Sequence, residues 1–382
     1  MEGRKKRDKI DRKLLIAVAV VLIIIIITGV CLATGVITEQ DIHDFLNSLT
    51  DPDSSNTPSP SQSPLMTDNI LLVGNELTGQ TLDIHFIDVG QGDAIYIEFP
   101  DGKTMLIDGG DTGQTARTAL LSYLQHEEGA FIDYLMLTHT DADHVGSLDD
   151  VIDAYPVKNF YIPNLIASDG MANEDSIDGS ISTLAYFRFI ERVNNETYTE
   201  GGISKKSMIY FNQDILIISE ESYTMTLYCP SEEYYGSITN NSSAQMKNNM
   251  SPICVLEYGG RVIVFTGDAD KEAEDRFIAQ TGKPINADVL KVAHHGSEGS
   301  SNSAFLAHID AEYAIISCGK DNAHKHPRQE AIDRLIDAGA EYLFRTDLHS
   351  DILLEIDGLG NMRFTLKQYI SQEIAFRGYS VS

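Results

Sequence analysis

The sequence predicts a mixed α/β domain, two β-sheets packed on each other with helices outside, preceded by one N-terminal transmembrane helix. Three observations lead there. Residues 14–37 contain no charged side chain over 24 positions. Residues 51–64 form a Pro/Ser tract. The remainder divides into two halves that each open with strand patterns and then alternate helix and strand, the pattern of sheets packed together under outer helices.

The N-terminal segment bears on the compartment. Residues 1–13 (MEGRKKRDKIDRK) hold seven Lys/Arg against three Asp/Glu. At about 1.5 Å per residue, the span from Leu14 to Ile37 is long enough for a hydrocarbon core of about 30 Å. Isoleucine is a mediocre helix former in water, but lipid leaves the backbone few alternatives to helical bonding. The basic flank before the span, with Glu39, Asp41 and Asp44 after it, predicts an inside N-terminus and an outside C-terminal bulk. The apolar run exceeds the about 7–15 residues of a cleavable signal, so a retained anchor is expected; cleavage near Cys31, Ala33 and Gly35 is the alternative. The expected organisation is a cytoplasmic segment at 1–13, a signal anchor at 14–37, an extracellular Pro/Ser-rich linker at 38–68 and a hydrolase domain at 69–382. The protein is then a single-pass protein of the cell membrane.

Within the domain, alternation predicts strands at 81–87, 94–99 and 104–107, the last two joined by the turn Pro100-Asp101-Gly102-Lys103. A helix at 115–126, a strand at 134–137, a helix at 145–154 and a strand at 159–162 follow. Residues 164–206 read as a polar, irregular excursion with a helical piece at 181–193. Strands resume at 214–218, 224–228, 253–258 and 262–265. A helix at 271–281, a strand at 287–292, a helix at 303–308 and a strand at 313–317 come next. The last helix is expected over 327–337 with Pro327 in its first turn, before strands at 342–344, 352–356 and 362–366. No GxGxxG follows a first strand and no GxxxxGK[ST] is present, which excludes a simple dinucleotide fold, a P-loop and a nucleotide cofactor.

The net charge of −29, with +4 in residues 1–13, leaves −33 for the rest. Such a surface repels polyanions at long range and lacks the basic stripe of a high-affinity nucleic-acid binder. Any phosphodiester substrate therefore needs metal ions at the site, or a local basic patch that the sequence does not display. Cys31 lies in the apolar span, and Cys229, Cys254 and Cys318 form no CxxC. They read as buried apolar residues, with a Cys229–Cys254 bridge as the alternative.

The chemistry is concentrated at strand ends. His139, Asp141, Asp143 and His144 lie in Leu137-Thr138-His139-Thr140-Asp141-Ala142-Asp143-His144, between a strand and a helix. A helix cap needs one Asp or Ser, not two histidines and two aspartates. His139 and Asp141 suit one ion, Asp143 and His144 a second. Asp268 follows the apolar strand before Thr266-Gly267 and is placed to bridge two cations. Ala293-His294-His295-Gly296-Ser297 again follows a strand, and at least one of its histidines is expected to be a ligand. Asp108, in Asp108-Gly109-Gly110-Asp111, is placed to orient a ligand from behind. Asp and His at three strand ends predict a polynuclear metal site.

These residues resemble the metallo-β-lactamase superfamily, and more closely its branch like the C-terminal domain of the ComEC/Rec2 DNA-internalisation (competence) proteins. The resemblance rests on Phe86-Ile87-Asp88-Val89-Gly90-Gln91-Gly92-Asp93-Ala94, Leu106-Ile107-Asp108-Gly109-Gly110, the His139–His144 run, Phe265-Thr266-Gly267-Asp268 and Leu290-Lys291-Val292-Ala293-His294-His295-Gly296-Ser297. It implies a four-layer αββα sandwich with two divalent ions in a cleft at the sheet edges. The superfamily run HxHxDH becomes His139-x-Asp141-x-Asp143-His144 here, and the harder carboxylate favours Mn or Mg somewhat while Zn accepts it well. Zn or Mn is the expected metal. The third histidine of the pattern is missing; Asn248-Asn249-Met250-Ser251 stands there, which predicts a weaker hold on one ion. The resemblance also assigns Asp88, Asp93, Asn248 and Asn249 to substrate contact or ligand support, and Lys291 to a phosphate-facing role. His326, before Pro327, is assigned to the substrate.

The implied chemistry is hydrolysis by hydroxide generated on a metal ion. Asp143 orients the nucleophile, Asp268 bridges, His295 ligates with His294 as second choice, and His326 stabilises the leaving group or oxyanion. The expected enzyme is an extracellular phosphodiesterase or nuclease, with DNA as a substrate in uptake or processing. The alternatives are a phosphocholine, small-phosphoester or lactone hydrolase, and a surface binding protein with a degenerate metal site.

Overall fold

The computed structural model describes residues 65–67, 70–125, 131–163, 181–210, 213–239 and 241–366, all within one compact unit, Gln62–Ser382. The expected anchor at 14–37 and most of the linker lie outside the described residues. Among the described residues, no helix is long and apolar enough to cross a membrane.

The first half begins with β1 (Leu65–Thr67), β2 (Ile70–Gly74), β3 (Thr81–Phe86), β4 (Ile95–Glu98) and β5 (Thr104–Ile107). It continues with α1 (Gln114–Leu124), β6 (Ile132–Met136), α2 (Ala142–Val145), α3 (Leu148–Ala154) and β7 (Val157–Tyr161). Then come α4 (Ile181–Asn195), the hairpin β8 (Thr197–Glu200) and β9 (Ile203–Lys206), and β10 (Met208–Tyr210). The second half holds β11 (Ile215–Ser219), β12 (Tyr223–Tyr228), α5 (Glu232–Ser237), α6 (Ala244–Asn248), β13 (Ile253–Tyr258), β14 (Arg261–Phe265) and α7 (Lys271–Thr281). It ends with β15 (Val289–Lys291), α8 (Ser303–Ile309), β16 (Tyr313–Ile316), α9 (Gln329–Asp337), β17 (Tyr342–Arg345), α10 (Thr346–His349), β18 (Ile352–Asp357) and β19 (Met362–Leu366).

Among the described residues these strands form a ten-stranded sheet in the order β1-β2-β19-β18-β3-β4-β5-β6-β7-β10 and a seven-stranded sheet running from β11 to β17 in sequence order. Each sheet changes character midway. The first is antiparallel as far as β5 and parallel through β5, β6, β7 and β10. The second is antiparallel as far as β14 and parallel from β14 to β17. Burial follows that division. In β3 the side chains of Leu82, Ile84 and Phe86 turn inward while their neighbours are half-exposed, but β6 and β16 are buried at every position. Parallel strands covered on both faces need such runs.

One core lies between the sheets, where Phe86 meets Phe265 at 6.5 Å and Tyr313 stacks on Phe364 at 4.9 Å. A second lies between the ten-stranded sheet and α1, α3 and α4, and a third between the seven-stranded sheet and α7, α8 and α9. Helix, sheet, sheet and helix are thus stacked in that order.

Several sequence expectations need correction. The helical piece expected at 181–193 is present as α4, whose Ala185, Tyr186, Phe189, Ile190 and Val193 form an apolar stripe that joins the second core, but residues 197–206 are not irregular and form the hairpin β8–β9. The hairpin's short, exposed and polar strands hide it in composition alone. Residues 164–180 lie outside the described residues. β1 falls inside the segment read as linker. The last helix starts at Gln329, not Pro327; His326-Pro327 is a cis peptide two residues before it. Cys229, Cys254 and Cys318 are buried free thiols, so the Cys229–Cys254 bridge is not formed.

One polar contact fastens the third core. Glu274 of α7 is buried, and burial pushes its carboxyl up to about 7. It accepts from the Ser301 and Asn302 backbone N–H groups, while Asn302 Oδ1 caps α8 through Ala304 N at 3.0 Å and Phe305 N at 3.1 Å. Glu274→Ala strands two buried donors and is expected to lower the unfolding free energy by about 2–4 kcal/mol in urea titrations. A loss below about 0.5 kcal/mol would show that water replaces the carboxylate.

Candidate metal centre

Ligands in open α/β sheets gather beyond the carboxyl ends of parallel strands, and here five such ends meet. β5 ends at Asp108, β6 at Thr138-His139, β14 at Thr266-Gly267-Asp268, β15 runs into the short 3-10 turn Ala293–Gly296, and β16 ends at Ser317. Asp268 lies between the two halves of the fold. Its Oδ1 is 3.2 Å from His144 Nε2 and 3.4 Å from His295 Nε2; its Oδ2 is 3.7 Å from His294 Nε2 and 3.8 Å from His139 Nε2.

Close packing of backbone enforces this approach. Gly267 has φ +49°, and a Cβ there would meet Thr138 Cβ at 2.9 Å. At Gly92 (φ +117°) a Cβ would sit 2.1 Å from the Asp143 carbonyl oxygen, so Asp93 can follow directly under the metal loop. Asp108, His294 and His295 also take left-handed φ values of 59°, 49° and 54°. Non-glycine residues hold such conformations at a cost of about 1–3 kcal/mol each, and they concentrate at functional sites.

Hydrogen bonds set the orientation of each ring. Asp108, fully buried, accepts from Thr138 N at 2.8 Å, Thr138 Oγ1 at 2.7 Å and His144 Nδ1 at 2.8 Å. The Thr138 hydroxyl, having donated its proton to Asp108, is an acceptor for His139 Nδ1 at 3.1 Å. His295 Nδ1 donates to the Ser317 carbonyl at 2.9 Å. In all three residues Nδ1 faces an outer acceptor and Nε2 turns inward, the usual arrangement of a histidine ligand. His139 Nε2 is buried and without a hydrogen-bond partner, as are one oxygen of Asp268 and one of Asp93. Groups of His139, His144 and Asp268, and of Asp143, His144 and His295, bring one donor atom each within 4.8 Å of one another. Orphaned buried donors of these types fit divalent cations.

The electrostatics agree. Burial draws the His144 and His295 rings down, but the Asp268 carboxylate and its acidic neighbours outweigh it and hold both well above the ordinary histidine range. Burial and then His144 depress His139 to about 4. Burial, then Asp143 and Asp268, push Asp141 up to about 6. Asp143 stays well below the usual carboxylate range, because the His295 bond and the His144 charge overcome its burial. The cluster draws in positive charge, and protons occupy it when metal does not.

The sequence-predicted residues fall into three groups. His139, Asp143, His144, Asp268, His294 and His295 converge directly, and Asp141 Oδ2 lies 3.9 Å from His139 Nε2. Asp108 and Asp93 stand behind them, Asp93 Oδ1 lying 3.3 Å from His295 Nδ1. His326 has its ring 5.5 Å from His294 and 6.3 Å from His295, with Nδ1 unpartnered. Asn248 is buried and its amide nitrogen is 3.3 Å from His294 Nδ1.

Others do not face substrate. Lys291 is fully buried and pairs with Asp93 at 2.8 Å, so it neutralises a carboxylate behind His295 and does not face phosphate. Asn249 Oδ1 accepts from Asp270 N at 3.2 Å and Ala273 N at 3.1 Å, fastening the start of α7. Asp88 accepts from Gly90 N at 3.1 Å within its own turn, and its N–H donates to Asp351. Sequence reasoning missed Asp270, Thr138, Ser251 and Ser317. Asp270 was signalled by its alternation with Asp268; the Ser317 contact is a backbone carbonyl and leaves no residue signal.

With this geometry in place, the comparisons fall into line. Residues 87–205 match the Metallo-beta-lactamase superfamily. Three of the curated relatives this chain matches are named for the ComE operon, for recombination and for competence. ComE operon protein 3 of Bacillus subtilis (strain 168) is 25% identical over 315 residues, covering 78% of this chain and 35% of its own length. Recombination protein 2 of Haemophilus influenzae is 26% identical over 268 residues, covering 69% of this chain and 28% of its own. Competence protein ComA of Neisseria gonorrhoeae is 40% identical over 97 residues, 25% of this chain and 14% of that protein. This chain thus spans about a third or less of the length of these relatives.

A cation entering this centre must displace the protons that His144 and His295 hold above pH 6.5. Apparent affinity for Mn2+ or Zn2+ is therefore expected to rise with pH from 6.5 upward, with net proton release. Calorimetry in two buffers of different ionisation enthalpy measures both, and pH-independent binding without proton release would contradict the arrangement.

Proposed function

We propose that this protein is a membrane-anchored, metal-dependent hydrolase whose C-terminal domain lies outside the cell and cleaves phosphodiesters, DNA among them. One observation carries the reading: a nearly buried carboxylate, Asp268, is flanked on both oxygens by imidazoles, beneath a rim where Asp141 and Asp143 keep 28% and 25% of their side-chain surface exposed. His139, Asp141 and Asp268 would hold one divalent ion, and Asp143, His144, His295 and Asp268 a second. When bound, such ions lower the pKa of water and neutralise charge on a phosphoryl oxygen. Asp141, in place of a histidine, hardens the donor set and makes Mn2+ a better occupant than in an all-histidine site.

The chain's own groups have distinct tasks. Asp143 Oδ2 is held 3.4 Å from His295 Nε2 and remains ionised, so it aligns the attacking water and accepts its hydrogen bond. His326, half-buried, has its ring lowered to about 4 by burial, then by His295 and His294. It is neutral at physiological pH and donates one N–H to the leaving oxygen. A surface of charge −33 beyond residue 13 repels polyanions at long range, so attraction to a phosphodiester must come from the site. The printed names of the relatives, a recombination protein and competence proteins, support DNA as substrate. The anchor at 14–37, a linker from 38 to the start of β1 at Leu65, and the domain from there onward complete the proposed organisation.

Hydrolysis of bis-p-nitrophenyl phosphate by the Mn2+- or Zn2+-loaded full chain tests the reading. Asp143→Ala and Asp268→Ala are expected to lower turnover at least about 100-fold with unchanged circular dichroism; undiminished turnover in either would place the chemistry elsewhere. Supercoiled DNA, single strands and choline phosphoesters assayed side by side separate the substrate classes. Protease treatment of intact cells is expected to release the domain by cleavage within residues 51–64, and full protection would reverse the proposed topology.

A further inference from the structure

We propose that His294 is itself a metal ligand, supplying to the Oδ2 side of Asp268 the imidazole that the Asn248-Asn249-Met250-Ser251 turn lacks. The inference rests on the two-ion reading above and goes beyond it by assigning both adjacent histidines, one to each ion.

The division of imidazoles around Asp268 is even. His144 and His295 approach Oδ1 at 3.2 and 3.4 Å, and His294 and His139 approach Oδ2 at 3.7 and 3.8 Å. Two donors about 2.1 Å from one tetrahedral ion stand about 3.4 Å apart, and His294 Nε2 at 3.7 Å from Asp268 Oδ2 lies close to that spacing. Without His294, that side has a single imidazole.

His294 is also mounted like the other three. Its Nδ1 lies 3.2 Å from Asp270 Oδ1, and that oxygen is held in turn by the Ser300 hydroxyl at 2.5 Å. The Asp270 backbone is fixed through Asn249 Oδ1 at 3.2 Å. A carboxylate behind Nδ1 leaves Nε2 as the ligating atom. Consecutive left-handed residues, φ 49° and 54°, turn both rings toward one carboxylate where an extended chain would point them apart. Asn248, which stands where the resemblance places a histidine, has its amide nitrogen 3.3 Å from His294 Nδ1 and 3.5 Å from Nε2. His294 keeps 24% of its side-chain surface exposed, whereas His295 keeps 1%. The ion it holds is the more accessible and exchangeable of the two.

The test counts metal. The full chain in detergent, stripped by chelator and dialysed against Mn2+, is expected to hold two ions by elemental analysis, and Asn248→Ala also two. His294→Gln is expected to keep one ion at its original affinity and to bind the other at least about tenfold more weakly. Two ions at unchanged affinity in His294→Gln would overturn the assignment and leave the two-ion reading standing. Fewer than two ions in the unsubstituted chain would overturn both. Anomalous scattering from the Mn2+-loaded chain gives a check that needs no variant: His294 Nε2 farther than about 3 Å from both ions removes it from the ligand set.

Discussion

The centre depends on one carboxylate being shared. Asp268 is nearly buried, yet it is held far below the usual carboxylate range because the charge of His144, His295 and His294 overcomes the cost of burying it. Ionised and fixed, it faces two imidazoles with each oxygen. The rest of the site is organised around keeping those rings in place. Asp108, Thr138, the Ser317 carbonyl and Asp270 stand behind the four Nδ1 atoms, so every Nε2 turns inward.

The fold is what makes that sharing achievable. Asp108 and His139 follow β5 and β6 of one sheet, and Asp268 and His295 follow β14 and β15 of the other. The two sheets press together through a core containing Phe86, Phe265, Tyr313 and Phe364, and this brings their parallel ends to one edge. Each sheet is antiparallel on one side and parallel on the other, so the ends that carry chemistry are buried strands with little freedom to drift. Lys291 shows how far this control extends: a fully buried cation neutralises Asp93 behind His295. A buried ion pair of this kind adds little net stability but would be costly to break.

The accessible side has a different character from the floor. His139, His144 and His295 are sealed, while Asp141, Asp143 and His294 each retain about a quarter of their side-chain surface exposed. The metal-facing floor is rigid and rich in imidazole; the rim is acidic. An anion approaching this rim meets carboxylates unless cations intervene. The strongly acidic composition of the chain reinforces that repulsion.

Much of this could be read from the sequence. Alternation in β3 and β12, the apolar runs ending in Asp108, His139, Asp268 and His294, and the Asp141 exchange were all legible, because strand period and ligand chemistry are local properties. The β8–β9 hairpin escaped a composition-based reading since its strands are short, polar and exposed. What residue types alone left open was direction. Lys291 and Asn249 carry groups that suit phosphate or metal, yet one is sealed against Asp93 and the other ties down α7. The sequence likewise left His294 and His295 undivided between ligand and substrate contact. Their separation to opposite oxygens of Asp268 was decided by a left-handed backbone turn and by acceptors from strands distant in sequence. Residue identity determines which chemistry is available; only the packing of distant strand ends decides which lone pairs meet.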